Sequence, residues 1–95
     1  MNIIQKGIKQ GLISFDEDKK YITYIHQNKK RNYSNPEEKI QAETFLKLVL
    51  SYGYPVERVK QFVTVTMGSA TKEADIVVYN DNENNEPLIV VECKK

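Results

Sequence analysis

The apolar positions of this chain fall into two spacings. Ala42, Phe45, Leu46, Val49 and Tyr52 recur at three- and four-residue steps, the spacing of one helix face. Ser34-Asn35-Pro36-Glu37-Glu38 precedes them. Ser34 or Asn35 can cap, Pro36 suits a first turn, and the two acids favour the positive end of the helix dipole. Gly53 and Pro55 close the segment, as a C-terminal glycine and a following proline do. A helix over residues 36–52 is therefore predicted. Extending its stripe back by four places Glu38 on the buried side of the first turn, with Glu43 a competing candidate one turn further in.

The other apolar runs are β-branched or aromatic and bounded by turn formers. They predict strands near residues 60–66, 74–79 and 88–94, with a loop at 67–72, and an accessory hairpin over 11–25 that turns at Asp16-Glu17-Asp18-Lys19. Residues 27–32 read as a polar, basic connector whose Lys29-Lys30-Arg31 run is a solvated linker or a contact for nucleic-acid phosphates. The order is α-β-β-β behind a hairpin, and the fold class is α+β, in the manner of an α/β sandwich. The helix is expected to pack on a mixed sheet. The implied division is 1–32 for the accessory hairpin and linker, and 33–95 for the core.

Two of the apolar runs carry acids. Asp75 lies in Ala74-Asp75-Ile76-Val77-Val78-Tyr79, and Glu92 in Leu88-Ile89-Val90-Val91-Glu92-Cys93-Lys94. An acid inside a strand costs free energy unless it is compensated. If the runs pair antiparallel with the loop 80–87 placed symmetrically, Tyr79 faces Leu88 and Asp75 faces Glu92. Opposed side chains on one face have Cβ atoms about 4.5–5.5 Å apart. Alternation then sets Asp75, Glu92 and Lys94 on one face, and Ile76, Val78, Ile89 and Val91 on the other. Two carboxylates so close repel unless a hard cation lies between them. Mg²⁺ takes one or two carboxylates and keeps places for water and phosphate oxygens, which implies phosphodiester hydrolysis. Lys94 beside the ion would orient the attacking water or neutralise the phosphoryl group. The plain alternative is a surface hairpin whose charges face water.

Asp75 followed by Glu92-Cys93-Lys94 resembles the D…(D/E)-x-K signature of PD-(D/E)XK nucleases. The helix from Pro36, the Leu50-Ser51-Tyr52-Gly53-Tyr54-Pro55 segment and Lys72-Glu73-Ala74-Asp75 resemble the N-terminal region of the type I restriction enzyme R (endonuclease) subunit. Glu73 stands where the motif's proline would be. The resemblance covers roughly residues 33–95 and implies a restriction-endonuclease-like core, C-terminally truncated at Lys95. It implies Asp75, Glu92, Lys94 and Glu38 as catalytic residues. The metal would be Mg²⁺, or Mn²⁺, on Asp75, Glu92 and the backbone carbonyl of Cys93. The partners would be double-stranded DNA and, in a full complex, modification and specificity subunits. ATP would serve only a motor elsewhere in the full-length subunit, since no Gly-rich phosphate loop occurs among the four glycines. The isolated fragment is expected to be inactive, or nearly so, and to self-associate. The competing reading is an inactive PD-(D/E)XK-like module that binds nucleic acid or assembles a complex.

Composition adds limits. Ninety-five residues make one small domain. A formal charge of +1 is not that of a strongly basic DNA binder, so any nucleic-acid contact is a local patch. The single Cys93 excludes an internal disulfide framework and suits a reducing compartment. No apolar run approaches the length of a membrane helix, and the N-terminus lacks a signal-peptide core. A cytoplasmic protein is expected. His26 has no ligand-type partner at a helical or strand spacing and is read as structural.

Overall fold

The computed structural model of the chain describes residues 2–84 and 86–93. Two helices and two antiparallel three-stranded sheets make an α+β fold. Helix α1 (Ile3–Lys9) opens it, followed by β1 (Ile13–Phe15), β2 (Tyr21–Tyr24) and β3 (Lys29–Asn32), which form the first sheet in that order. Helix α2 (Pro36–Leu46) continues into a π-helical turn, Lys47–Ser51. A 3₁₀ turn (Val56–Arg58) leads into the second sheet, made in order of β4 (Val59–Met67), β5 (Ala70–Tyr79) and β6 (Pro87–Val91).

The local chemistry explains most boundaries. Asn35 caps α2 by accepting from Glu37 N–H at 3.0 Å, with Pro36 in the first turn. Gly53 takes a left-handed φ of +76° where the chain leaves the helical segment. In the β1–β2 turn, Asp16 Oδ1 accepts from the amides of Lys20 (2.7 Å) and Tyr21 (3.1 Å). Those amides, Tyr21's foremost, hold its carboxyl below the usual range.

Three expectations are corrected, and one further element was not foreseen. Residues 3–9 form a helix fixed by a reciprocal Asn2–Gln5 capping box, although their sequence shows no long apolar stripe. The connector 27–32 supplies a third strand, β3, which adds to the hairpin edge through pairs such as Ile22–Arg31. The expected loop at 67–72 shrinks to a tight turn around Gly68, φ +65°, because β4 and β5 run on to Met67 and Ala70. The sheet on which α2 packs is antiparallel throughout rather than mixed.

One core joins both sheets to α2. Leu12, Ile13, Ile22 and Tyr24 come from the first sheet and its approach. Ala42, Phe45, Leu46 and Leu48 come from α2 and the turn after it, and Val59, Ile76, Val78 and Cys93 from the second sheet. The π turn shifts the stripe after Leu46, so Leu48 is buried and Tyr52 is 72% exposed. Helix α1 reaches this core through Gly7. A Cβ there would lie 2.6 Å from Leu46 Cδ2 and 3.3 Å from Ile13 Cγ1, so only a glycine allows the approach. On the other side of the second sheet, Ala74, Val77 and Tyr79 form a smaller cluster with Val63 and Val65.

Candidate carboxylate site

The sheet register places the two strand acids just past its last pair. β5 and β6 pair antiparallel as Ile76–Val91, Val77–Val90 and Val78–Ile89. The last pair, Ile76–Val91, leaves Asp75 and Glu92 as the next residue on each strand. Near the loop the register slips, and Tyr79 faces Pro87 rather than Leu88. Strand β6 ends at Val91, so Glu92 and Cys93 follow it directly.

The expected alternation of faces fails at Asp75. Ala74 shares the second cluster with Val77 and Tyr79, three and five residues on, which a regular strand does not permit. The interruption has a cause on the neighbouring strand. The β4–β5 ladder pairs Gln61 with Ile76 and Val63 with Ala74, and skips the Phe62–Asp75 step. Phe62 sits there with a left-handed φ of +57°, and its ring packs against the main core. Irregularities of this kind re-aim a side chain. Asp75 Oδ2 accepts from the Cys93 N–H at 2.7 Å, and Cys93 belongs to the main core with Ile76 and Val78. Asp75 is thus tied to a residue of the α2-facing core, not set wholly apart from it as strict alternation implies.

Helix α2 supplies the third acid. Glu38 is buried in its first turn, at 5% exposure, whereas Glu43 is exposed. Of the two helix acids, Glu38 is the one buried against the core. Its carboxylate accepts from the Tyr24 hydroxyl at 2.5 Å through Oε2. Arg31 Nε lies 3.6 Å from Oε1. Burial, and then the hydrogen bond to and charge of Glu38, push the Tyr24 hydroxyl far above its ordinary pKa. Gln41, one turn on, donates its side-chain amide to the Asp75 carbonyl at 2.9 Å, which fastens α2 to β5 at the site. Cys93 feels the charge of both acids. Burial chiefly pushes its thiol up, the nearby charges of Asp75 and Glu38 add to this, and a hydrogen bond with Thr44 works against it.

The remaining predicted residues divide. Glu92, partly exposed, forms an ion pair with Lys72. Lys94 lies outside the described residues. His26 is exposed in the turn between β2 and β3. The donor set is hard, two carboxylates and a main-chain carbonyl, and suits Mg²⁺ or Mn²⁺ in kind. Its carboxylates already hold protein partners, Asp75 on an amide and Glu92 on an ammonium. Among the described residues no three His, Cys, Asp or Glu side chains gather to hold a metal. Sequence reasoning missed Tyr24, Gln41 and the contact of Arg31 with Glu38. Gln41 was legible as the position three after Glu38 on one helix face. The other two were not, because they come from a sheet whose docking no local pattern encodes.

An antiparallel sheet bearing Asp75, fastened through Gln41 to a helix with a buried glutamate, defines a class of α+β domain with acids on both its strands and its helix. A family model described as the type I restriction enzyme R protein N terminus matches residues 36–95, and the chain belongs to that family. No curated protein and no solved structure matches it. The matched segment begins at α2 and includes every acid of the site, while Tyr24 and Arg31 lie before it. No helix among the described residues is long and apolar enough to cross a membrane.

Proposed function

We propose that this chain carries the DNA-cleaving domain of a type I restriction–modification R subunit. It would be a metal-dependent endonuclease on a PD-(D/E)XK core that hydrolyses phosphodiesters of double-stranded DNA in the cytoplasm. The observation that supports this reading is the β5–β6 register, whose last pair Ile76–Val91 adjoins Asp75 and Glu92, with Glu38 buried in the helix tied to Asp75 through Gln41.

Asp75, Glu92 and the Cys93 carbonyl would hold Mg²⁺ or Mn²⁺ once Glu92 leaves Lys72. The bound ion would supply an acidified water and neutralise charge on the phosphoryl group. Gln41 holds the Asp75 main chain in place through its carbonyl. Tyr24 and Arg31 fix the Glu38 carboxylate. Lys94 would orient the attacking water. ATP would drive only a motor elsewhere in the full subunit, and sequence choice would lie with modification and specificity subunits.

The test uses the full-length R subunit with those partners. Asp75→Ala, Glu92→Ala and Lys94→Ala should each abolish DNA cleavage while ATP hydrolysis survives. Lys94→Ala cleaving at the normal rate would remove the role given to that lysine.

One observation favours a second reading. Both strand carboxylates are satisfied by protein groups, as a domain that only binds nucleic acid or assembles a complex requires. That reading expects all three variants to cleave as the parent does, or the parent not to cleave at all.

A further inference from the structure

Among the described residues the Arg31 guanidinium is engaged on two sides. Its guanidinium carbon lies 3.9 Å from the centroid of the Phe62 ring, and its Nε faces Glu38. Among the described residues no hydrogen bond reaches its two terminal nitrogens, and the side chain is 47% exposed. Stacking on an aromatic face fixes the plane of a guanidinium. The ion pair fixes the rotation of this one within that plane. The group is therefore held on one face and at Nε, with nearly half of its side chain in solvent, beside the Glu38 carboxylate.

Its surroundings share its sign. Lys29 and Lys30 precede it on β3, the outer strand of the first sheet. The Lys29 ammonium donates to the Gln61 carbonyl at 2.7 Å and lies 5.6 Å from the Phe62 ring. Lys30 sits 5.0 Å from the Tyr21 ring. Lys29 and Arg31 thus share one face of the strand against the Phe62 ring, with Lys30 on the other face, on a chain whose overall charge is nearly balanced.

A planar fork with fixed orientation matches two oxygens of a phosphodiester, which it takes as a bidentate pair. We propose that Arg31 is a phosphate-binding residue, gripping the backbone of double-stranded DNA next to the bond held at the carboxylate site. This rests on the nuclease reading above and deepens it by naming how the substrate backbone is seated. Arg31 and Phe62 act as one unit: the ring orients the fork, and Phe62's left-handed backbone is the same irregularity that aims Asp75. Phosphate grip and carboxylate are thereby tied to a single point of the sheet.

The experiment is a titration of the chain with a short double-stranded DNA in EDTA, read by fluorescence anisotropy over a salt series. Arg31→Ala should weaken binding roughly tenfold, as loss of a charge-assisted contact does. It should lower the slope of log K against log salt by about 0.9, the value of one phosphate contact, and do so for any DNA sequence. Arg31→Lys should keep most of the slope and lose part of the affinity. Because Arg31 also touches Glu38, the substitution is repeated in a Glu38→Gln background. The same loss there supports a direct contact, and disappearance of the loss overturns it. Wild-type binding by Arg31→Ala overturns the proposal while leaving the nuclease reading standing. No DNA binding by the parent chain, with no cleavage by the complete subunit, defeats both.

Discussion

Tyr24 and Glu38 meet across the boundary between the first sheet and helix α2, hydroxyl to carboxylate at 2.5 Å. Both side chains are buried. The carboxylate is held by this hydroxyl and by the Arg31 guanidinium. Tyr24→Phe keeps the ring that packs edge-on against Phe45 and removes one of the two partners of a buried acid. A cost of about 1–3 kcal/mol is expected, the penalty for a buried polar group that loses its partner. Denaturant unfolding checks it, with the midpoint shifted and the slope unchanged.

Glu38 and Glu43 make a matched pair of controls on one helix. Glu38→Gln should lower cleavage by the complete subunit by about 10²–10⁴-fold, the range for loss of a positioned acid–base group. Glu43→Gln, on the exposed side, should leave the rate within twofold. Single-turnover cleavage decides it, and equal effects would remove Glu38 from the site.

The alkaline limit of stability follows from two groups. The Cys93 thiol and the Tyr24 hydroxyl both have folded-state pKa values raised above their ordinary ones. The folded state therefore holds these protons more tightly than the unfolded chain. Each contribution is fully present below that group's ordinary range and is lost as pH rises from there through its raised folded-state value, first for Cys93 and then for Tyr24. Thermal unfolding midpoints should fall on the alkaline side, and Cys93→Ala should delay the first part of that fall. Iodoacetamide should label Cys93 slowly at neutral pH, since the reactive thiolate is scarce and buried.

The outer strand β6 carries Leu88 and Val90 more than half exposed, and no strand pairs with its far side among the described residues. Unpaired apolar edges invite association. Sedimentation over a concentration series should show self-association of the chain. Leu88→Lys with Val90→Lys should suppress it without loss of helix by circular dichroism. A strictly monomeric parent chain would count against the argument.

Local periodicity made α2, its cap and the β5–β6 register legible, because each depends on residues within one or two elements. Glu38 could be separated from Glu43 only by the structure, since both are near the first turns and the stripe alone does not say how far burial extends. The direction of Asp75 was not legible. It depends on a left-handed Phe62 in another strand, a conformation rare for an aromatic residue, with no glycine or asparagine to announce it. The strand Lys29–Asn32 was hidden for a related reason. Its residues are polar and charged, and they pair because β2 offers an edge, not because their own sequence favours a sheet.

The coupling of the two sheets bears on where this domain begins. Relatedness to the restriction-enzyme family starts at residue 36, but hydrogen bonding does not respect that line. Gln27 bridges to Gln61 twice, donating to its side chain at 2.8 Å and accepting from its amide at 2.6 Å. Lys29 takes the carbonyl of the same residue. A chain trimmed to the related segment would orphan the Gln61 main chain, the Glu38 carboxylate and the inner face of Phe45 at one stroke. The segment matched by the family and the segment that packs as one core are thus different lengths of polypeptide. The first 35 residues are not an appendage that a trimmed version of this domain can discard.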